Sequence, residues 1–403
     1  MILSVRRYRR MARVSVFFAA TALVAGMVGC VGPEYGLTIA STTGGEVISP
    51  GEGTFTYDAG TAVDLVAEPD ECYRFITWTG NVSAIADVNA AATTIIINDD
   101  YTITASFASV IDDSIFGKLT KVEADPQRGF HWAYYFYLPN SLCSLGGEHQ
   151  TIYLLVEPNR TGYPSDDQEA HDSAARALAN ARESYAEQLG VALLVPTFPR
   201  PQHPDLYIQA LDRNTMLSTI DEYERIDLQL LSMIDDASDR LSGSGITVHG
   251  RILMWGFSAS GMFVSRFAVM HPDRIQAATI GAPGGWPTAP LEQWEDISLT
   301  YPVGIADTKE ITGKEFDIEE FRSIPLYFYM GDMDTYQRLP YDAQVDVRLF
   351  GATPVERWPI AEEMYESAGC NSQFVLYPGV GHQITDAMWA DTKDFFLNNM
   401  EPP

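Results

Sequence analysis

Five consecutive apolar residues, Val191-Ala192-Leu193-Leu194-Val195, stand between two stretches of polar-faced helical spacing. A strand without a polar face has no side to turn to water, so it belongs inside a sheet covered by helices on both faces. Comparable runs recur at 151–156, 251–255, 276–280, 325–330 and 373–377, with a strand-like segment at 132–138 before them. Between them lie segments with helical spacing at 168–189, 219–241, 259–270, 360–367 and 385–397. Strands alternating with helices of this length imply βαβ crossovers and a mostly parallel sheet in an α/β sandwich spanning 112–403. Chemistry in such a fold is expected at the carboxyl ends of the strands.

Residues 35–108 read differently. Runs such as Thr54-Phe55-Thr56-Tyr57 and Ala62-Val63-Asp64-Leu65-Val66 alternate at period two, separated by Gly44-Gly45, Pro50-Gly51-Glu52-Gly53 and Asn98-Asp99-Asp100. β-Branched and aromatic residues punctuated by turn formers predict a small all-β module. Arg74 is its sole basic residue. The whole chain of 403 residues carries a formal charge of −28, so a phosphate backbone is repelled and nucleic acid is excluded as a partner.

Ahead of the module, residues 1–29 carry Arg6, Arg7, Arg9, Arg10 and Arg13, then an uncharged stretch of 16 residues at 14–29. A basic leader before an apolar run too short to span a bilayer reads as a secretory signal. Its Gly29-Cys30 end resembles the signal of bacterial lipoproteins, whose cysteine becomes the lipidated first residue. Cys30 is then a lipid anchor and the only membrane attachment, on the outer surface or the periplasmic face; a plain secretory signal exports the chain equally. Cys72, Cys143 and Cys370 remain, and the pairing expected within 112–403 is Cys143 with Cys370. No cysteines have C-x-x-C spacing and no histidines have ligand spacing, so neither a metal nor an organic cofactor is expected.

The string Leu253-Met254-Trp255-Gly256-Phe257-Ser258-Ala259-Ser260-Gly261 places a serine where an apolar strand turns into an apolar helix. Lifting a hydroxyl clear of a sheet needs a turn so sharp that small residues must flank it two positions away, here Gly256 and Ser260. Ser258 also opens the helix, so the Ala259 amide points at any oxyanion formed there. A serine needs a base, and the base needs a carboxylate to hold its tautomer. Of seven histidines, His382 follows the last apolar strand in a glycine-rich loop, Pro378-Gly379-Val380-Gly381-His382, and the other six read as structural. The strand at 325–330 runs into Gly331-Asp332-Met333-Asp334, which offers two carboxylates. A second oxyanion donor is expected from the amide of Arg160 or Asn159, in the loop Glu157-Pro158-Asn159-Arg160-Thr161-Gly162.

Together the serine turn, the strand followed by G-x-x-D and the P-G-x-G-H loop resemble the α/β-hydrolase superfamily. The nearest branches are secreted esterases, dienelactone hydrolases and polyester depolymerases, and the resemblance covers 112–403. It implies a catalytic set of Ser258, Asp334 and His382, the acid falling three residues after the glycine and leaving Asp332 to the turn. It further implies hydrolysis of a small or polymeric carboxylic ester through an acyl-enzyme. The long insertion at 282–324, with Trp286, Trp294, Tyr301 and Phe316, reads as a cap shaping the substrate pocket. A prolyl-oligopeptidase-like serine peptidase and an inactive surface adhesin are the alternatives. In 35–108, the pattern G-G-x-V-x-x-P-G-x-G-x-x-x-Y-x-x-G-T, then F-x-x-W-x-G and Y-x-I-T-A-x-F, resembles an internalin B-repeat of bacterial surface proteins. That implies a spacer or adhesive unit, in which Trp78, Tyr73 and Phe75 form either core or a carbohydrate-stacking surface.

Overall fold

The computed structural model describes residues 32–70, 72–109, 115–145, 151–243, 246–284, 286–335 and 350–401; the candidate signal segment 1–29 and Cys30 lie outside them. The first described unit is all-β. It consists of β1 (Glu34–Ser41), β2 (Gly45–Ser49), β3 (Gly53–Asp58), β4 (Thr61–Pro69), β5 (Tyr73–Gly80), β6 (Ala92–Ile97) and β7 (Tyr101–Ser109). They form one sheet in the order β3-β1-β7-β5 and a second in the order β2-β4-β6. Period-two alternation decides which way each side chain faces. Along β4, Val63, Leu65 and Ala67 are buried, whereas Ala62, Asp64 and Glu68 are exposed. The buried set meets Leu37, Ile39, Trp78, Ile95 and Ile103 in a core of its own.

The second unit opens with β8 (Thr120–Val122) and β9 (Tyr134–Tyr137), then alternates. It continues through β10 (Leu154–Val156), α1 (Gln168–Leu189), β11 (Ala192–Pro196), α2 (Ile226–Gly243), β12 (Ile252–Phe257) and α3 (Ala259–Met270). Then follow β13 (Ile275–Gly281), β14 (Leu326–Gly331), α4 (Pro354–Ser367), β15 (Ser372–Tyr377) and α5 (Asp386–Asn399). The sheet order is β15-β14-β13-β12-β10-β11-β9-β8, with every neighbouring pair from β11 to β15 parallel, β9 antiparallel to β11, and β8 antiparallel to β9. Alternation along β14 sorts the covering helices. Tyr327 meets Phe395 of α5 at 5.4 Å, and the next residue, Phe328, meets Tyr365 of α4 at 4.8 Å on the opposite face. The α/β sandwich with a mostly parallel sheet expected from the sequence is the architecture observed.

Element boundaries follow local chemistry. Asp167 caps α1 by accepting from the Glu169 amide, and left-handed Gly190 ends it, so this helix coincides with its periodic segment. The helix expected from 219 instead starts at Ile226, because Arg225 takes a positive φ of 44° and its guanidinium grips Asp227 at 2.9 and 2.7 Å. Helix α4 starts earlier than the expected 360. A reciprocal capping box between Thr353 and Glu356, with Pro354 in the first turn, initiates it ahead of Pro359.

The cysteine pairing differs from expectation. Cys72, just before β5, is bonded to Cys143 in the turn after β9, so the disulfide joins the all-β unit to the α/β unit. Cys370, beyond α4, is a free thiol whose pKa burial pushes up to about 11. Sequence spacing carries no information about which loops meet, and here the loops that meet belong to different units.

Candidate active site

Strand order reverses at β10: the chain proceeds from β10 to β11 on one side, then crosses to β12 on the other. Loops leaving adjacent strands in opposite directions open a crevice at the carboxyl edge of the sheet. The loop after β10 carries Asn159 and Arg160, and the turn after β12 carries Ser258.

Ser258 has φ 62° and ψ −121°, a strained conformation for a non-glycine residue at the hinge between β12 and α3. The crowding that forces it is measurable. A Cβ on Gly256 would stand 2.3 Å from the Ser260 carbonyl oxygen, and one on Gly261 would stand 2.5 Å from that of Gly281. Ser260 occupies the position where glycine is commoner because its hydroxyl has a structural task. Its Oγ donates to the Phe257 carbonyl at 2.9 Å and accepts from the Phe257 amide at 3.0 Å, clasping the end of β12. The close approach falls on Gly261, a position that the sequence motif did not single out.

His382 reaches the serine because its loop folds back onto β14. Asp332 Oδ1 accepts the Gly379 amide at 2.7 Å, and the Met333 amide donates to the Val380 carbonyl at 2.9 Å. His382 Nδ1 then lies 2.7 Å from Asp334 Oδ2, and Nε2 lies 2.9 Å from Ser258 Oγ. An ionised carboxylate can only accept, so the proton belongs on Nδ1 and leaves Nε2 as acceptor for the serine hydroxyl. Asp334 is only 2% exposed, and the Phe257 ring packs 5.1 Å from the imidazole, so the row of three is held from both sides. Asp332, the competing carboxylate, faces the Gly379 amide.

The Ala259 amide is the first of α3, next to Ser258, and as a first-turn donor it has no acceptor within the helix. Of the second donor candidates, Asn159 is fully buried with Nδ2 donating to the Phe198 carbonyl at 2.9 Å, an anchor for the loop. Arg160 Nη1 reaches the Phe257 carbonyl at 3.4 Å and so bridges this loop to β12. The next amide, that of Thr161, is engaged by Gln209 Oε1 at 2.6 Å.

Other histidines have different surroundings. His171 lies buried between Thr161 Oγ1 at 3.0 Å and the Ser165 carbonyl at 2.7 Å. His271 Nε2 meets Asp227 Oδ2 at 2.8 Å, linking α3 to α2. Burial would raise the Asp227 pKa, but hydrogen bonds from His271 and Arg225 outweigh it and bring the value down to about 2.

An apolar recess adjoins Asp334 and His382, walled by Pro283, Gly284, Pro287, Met330 and Trp358. The insertion at 282–324 therefore supplies one wall through its first residues. Its aromatic residues do not line the recess as a cap would: Trp286 packs on Phe350 at 4.8 Å with Nε1 on the Val303 carbonyl, and the fully buried Tyr301 donates to the Leu211 carbonyl. They fasten the insertion to the body. The second wall comes from α4, which the sequence reading had not connected to the site.

Residues 35–111 match the family model described as a divergent InlB B-repeat domain. Within this unit, Trp78 is 2% exposed and its Nε1 donates to the Ala90 carbonyl at 3.1 Å, with Phe75 packed 5.7 Å away. Trp78 is core, which removes it from the suggested carbohydrate-stacking surface. No curated protein matches the sequence. Among solved structures, the chain is similar to poly(aspartic acid) hydrolase-1 from Sphingomonas sp. KT-1, with 17% identity, TM-score 0.46, and coverage of 70% of this chain and 98% of that one. It is also similar to a poly(3-hydroxybutyrate) depolymerase from Bordetella parapertussis, with 16% identity, TM-score 0.46, and coverage of 71% and 91%. An S-formylglutathione hydrolase from Agrobacterium tumefaciens is similar at 12% identity and TM-score 0.42, with coverage of 70% and 95%.

Proposed function

We propose that the chain is an exported serine hydrolase that cleaves carboxylic esters. The observation that carries this reading is the continuous contact from Asp334 to His382 to Ser258, at 2.7 and 2.9 Å, on a strained serine. In the first step His382 Nε2 takes the Ser258 proton as Oγ attacks the acyl carbon. Asp334 holds the ring through Nδ1 and stabilises the imidazolium that results. The Ala259 amide and an amide of the Asn159–Arg160 segment receive the oxyanion; one such donor is worth about 10²–10³ in rate. His382 then returns its proton to the leaving alkoxide, the alcohol departs, and the acyl group remains on Ser258. Water, deprotonated by the same imidazole, releases the acid and regenerates the serine.

Export is supported by the leader at 1–29 and by the Cys72–Cys143 bond, which suits an oxidising compartment. Cys30 is the proposed lipid anchor, and the B-repeat follows directly after it as a spacer. Labelling of cells with a palmitate analogue, lost in Cys30→Ser, tests the anchor.

A fluorophosphonate probe tests the chemistry. Wild-type protein is expected to label at Ser258, Ser258→Ala not at all, and aryl esters to be cleaved far faster than peptide amides. Folded wild-type protein that fails to label would make the chain an inactive surface adhesin; amides cleaved as fast as esters would make it a peptidase.

A further inference from the structure

Arg160 has more to offer than its backbone. Its guanidinium lies over the Phe257 ring, 5.9 Å from the centroid, and that same ring packs 5.1 Å from His382. The side chain therefore flanks the row of reacting groups. Its one hydrogen bond among the described residues, Nη1 to the Phe257 carbonyl, is long at 3.4 Å. The nearest carboxylate, Glu157, stands 3.9 Å away and is already gripped by Arg182 through contacts of 2.6 and 3.2 Å. Two guanidiniums share one carboxylate, and the second is left over.

Nε and Nη2 of Arg160 have no partner among the described residues, and the side chain is 30% exposed. Burial lowers the Arg160 pKa, with Glu157 opposing the shift. Guanidinium nevertheless keeps its proton in proteins, so a partly desolvated cation with an open donor edge persists beside the nucleophile. A cation held only by a 3.9 Å contact to a shared carboxylate keeps donors to spare, and its fork geometry matches one chemical group closely: a carboxylate bound through two parallel N–H···O contacts.

We propose that Arg160 is a specificity-determining residue whose guanidinium receives a carboxylate carried by the ester substrate itself, on either the acyl or the alcohol side of the scissile bond. The cation lining the apolar recess beside His382, Arg357, is engaged by the Gly351 and Ala352 carbonyls, so the recess takes the uncharged portion. This proposal rests on the esterase reading of the site.

The test compares kcat/KM for matched substrate pairs in wild type, Arg160→Lys and Arg160→Met. Nitrophenyl hydrogen adipate against nitrophenyl hexanoate probes the acyl side, and acetoxybenzoate against phenyl acetate probes the alcohol side. Adipate is titrated calorimetrically against the same three proteins, with melting curves to check folding. In one arm the charged-to-neutral ratio is expected to fall at least tenfold in Arg160→Met, with Arg160→Lys retaining part of it, and adipate to bind at least tenfold more weakly. A ratio unmoved in both arms, both members of each pair declining alike, overturns the proposal and leaves Arg160 as a strut between the loop and β12. If wild-type protein neither hydrolyses the neutral esters nor labels with fluorophosphonate, the esterase reading has failed by itself. The adipate titration then decides the anion site alone: loss of binding in Arg160→Met sustains it, and equal binding removes it.

Discussion

Gly331 and Val380 are so close that a Cβ added to the glycine would lie 1.9 Å from the valine carbonyl oxygen. That contact seats the His382 loop on the end of β14, where Asp334 leaves the sheet. The atom in the way is backbone, so the loop itself must move. Gly331→Ala is expected to displace the imidazole and to lower kcat about 10²-fold, the scale of a misplacement of about 1 Å. Rates of fluorophosphonate labelling and ester turnover, read beside a thermal melt, check this. Wild-type rates in a folded variant would show that the loop tolerates the shift.

Two aspartates near His382 have separable tasks. Asp334→Asn leaves the shape intact but favours the wrong tautomer, and kcat is expected to fall about 10⁴-fold. Asp332→Ala removes only the acceptor for the Gly379 amide and is expected to cost about tenfold through looser positioning of the loop. Steady-state kinetics on the two variants decides the assignment; a reversed order would make Asp332 the orienting acid.

The His271–Asp227 contact predicts an acid-sensitive hold between α3 and α2. Folding takes the Asp227 carboxyl from its ordinary value of 3.8 down to about 2, so the native state releases this proton more readily than the unfolded chain does. The stability this supplies is complete above about pH 4 and is lost as pH falls toward 2. The shift corresponds to about 2 kcal/mol. Urea titrations from pH 5 to pH 2 (approximate limits set by those two values) are expected to show less pH dependence in Asp227→Asn than in wild type, at lower stability throughout.

Joining residues 71 apart, the Cys72–Cys143 bond restricts the unfolded chain over a long loop. Cys72→Ser/Cys143→Ser is expected to lose about 2–4 kcal/mol and to melt earlier. Alkylation of the unfolded, unreduced protein is expected to modify Cys370 and to spare Cys72 and Cys143. Modification of Cys143 instead would contradict the pairing.

The local devices were legible in the sequence because they depend on neighbours along the chain. The strand at 192–196 needs only its apolar run; α1 needs only Asp167 and Gly190; the Ser258 turn needs only glycine at positions 256 and 261 and the Ser260 hydroxyl between them. Ser, Asp and His could be nominated because each ends a recognisable strand or loop. The hydrogen-bonded glycine loop of His382 was legible as a motif, though nothing in one dimension shows that it closes on Gly331.

What only the tertiary structure decided concerns residues brought together by chain crossings. The Cys72–Cys143 bond, the inward turn of Trp78, the use of the insertion's aromatics as fasteners, and the recess wall from α4 all join segments far apart in sequence. Arg160 is the clearest example. As a letter in a loop it is one more surface cation, and it becomes a loosely held charge beside the Ser258 turn only because Arg182 has the closer grip on Glu157. Local sequence sets propensity, period and caps; which charges meet and which are left over depends on packing across the whole sheet.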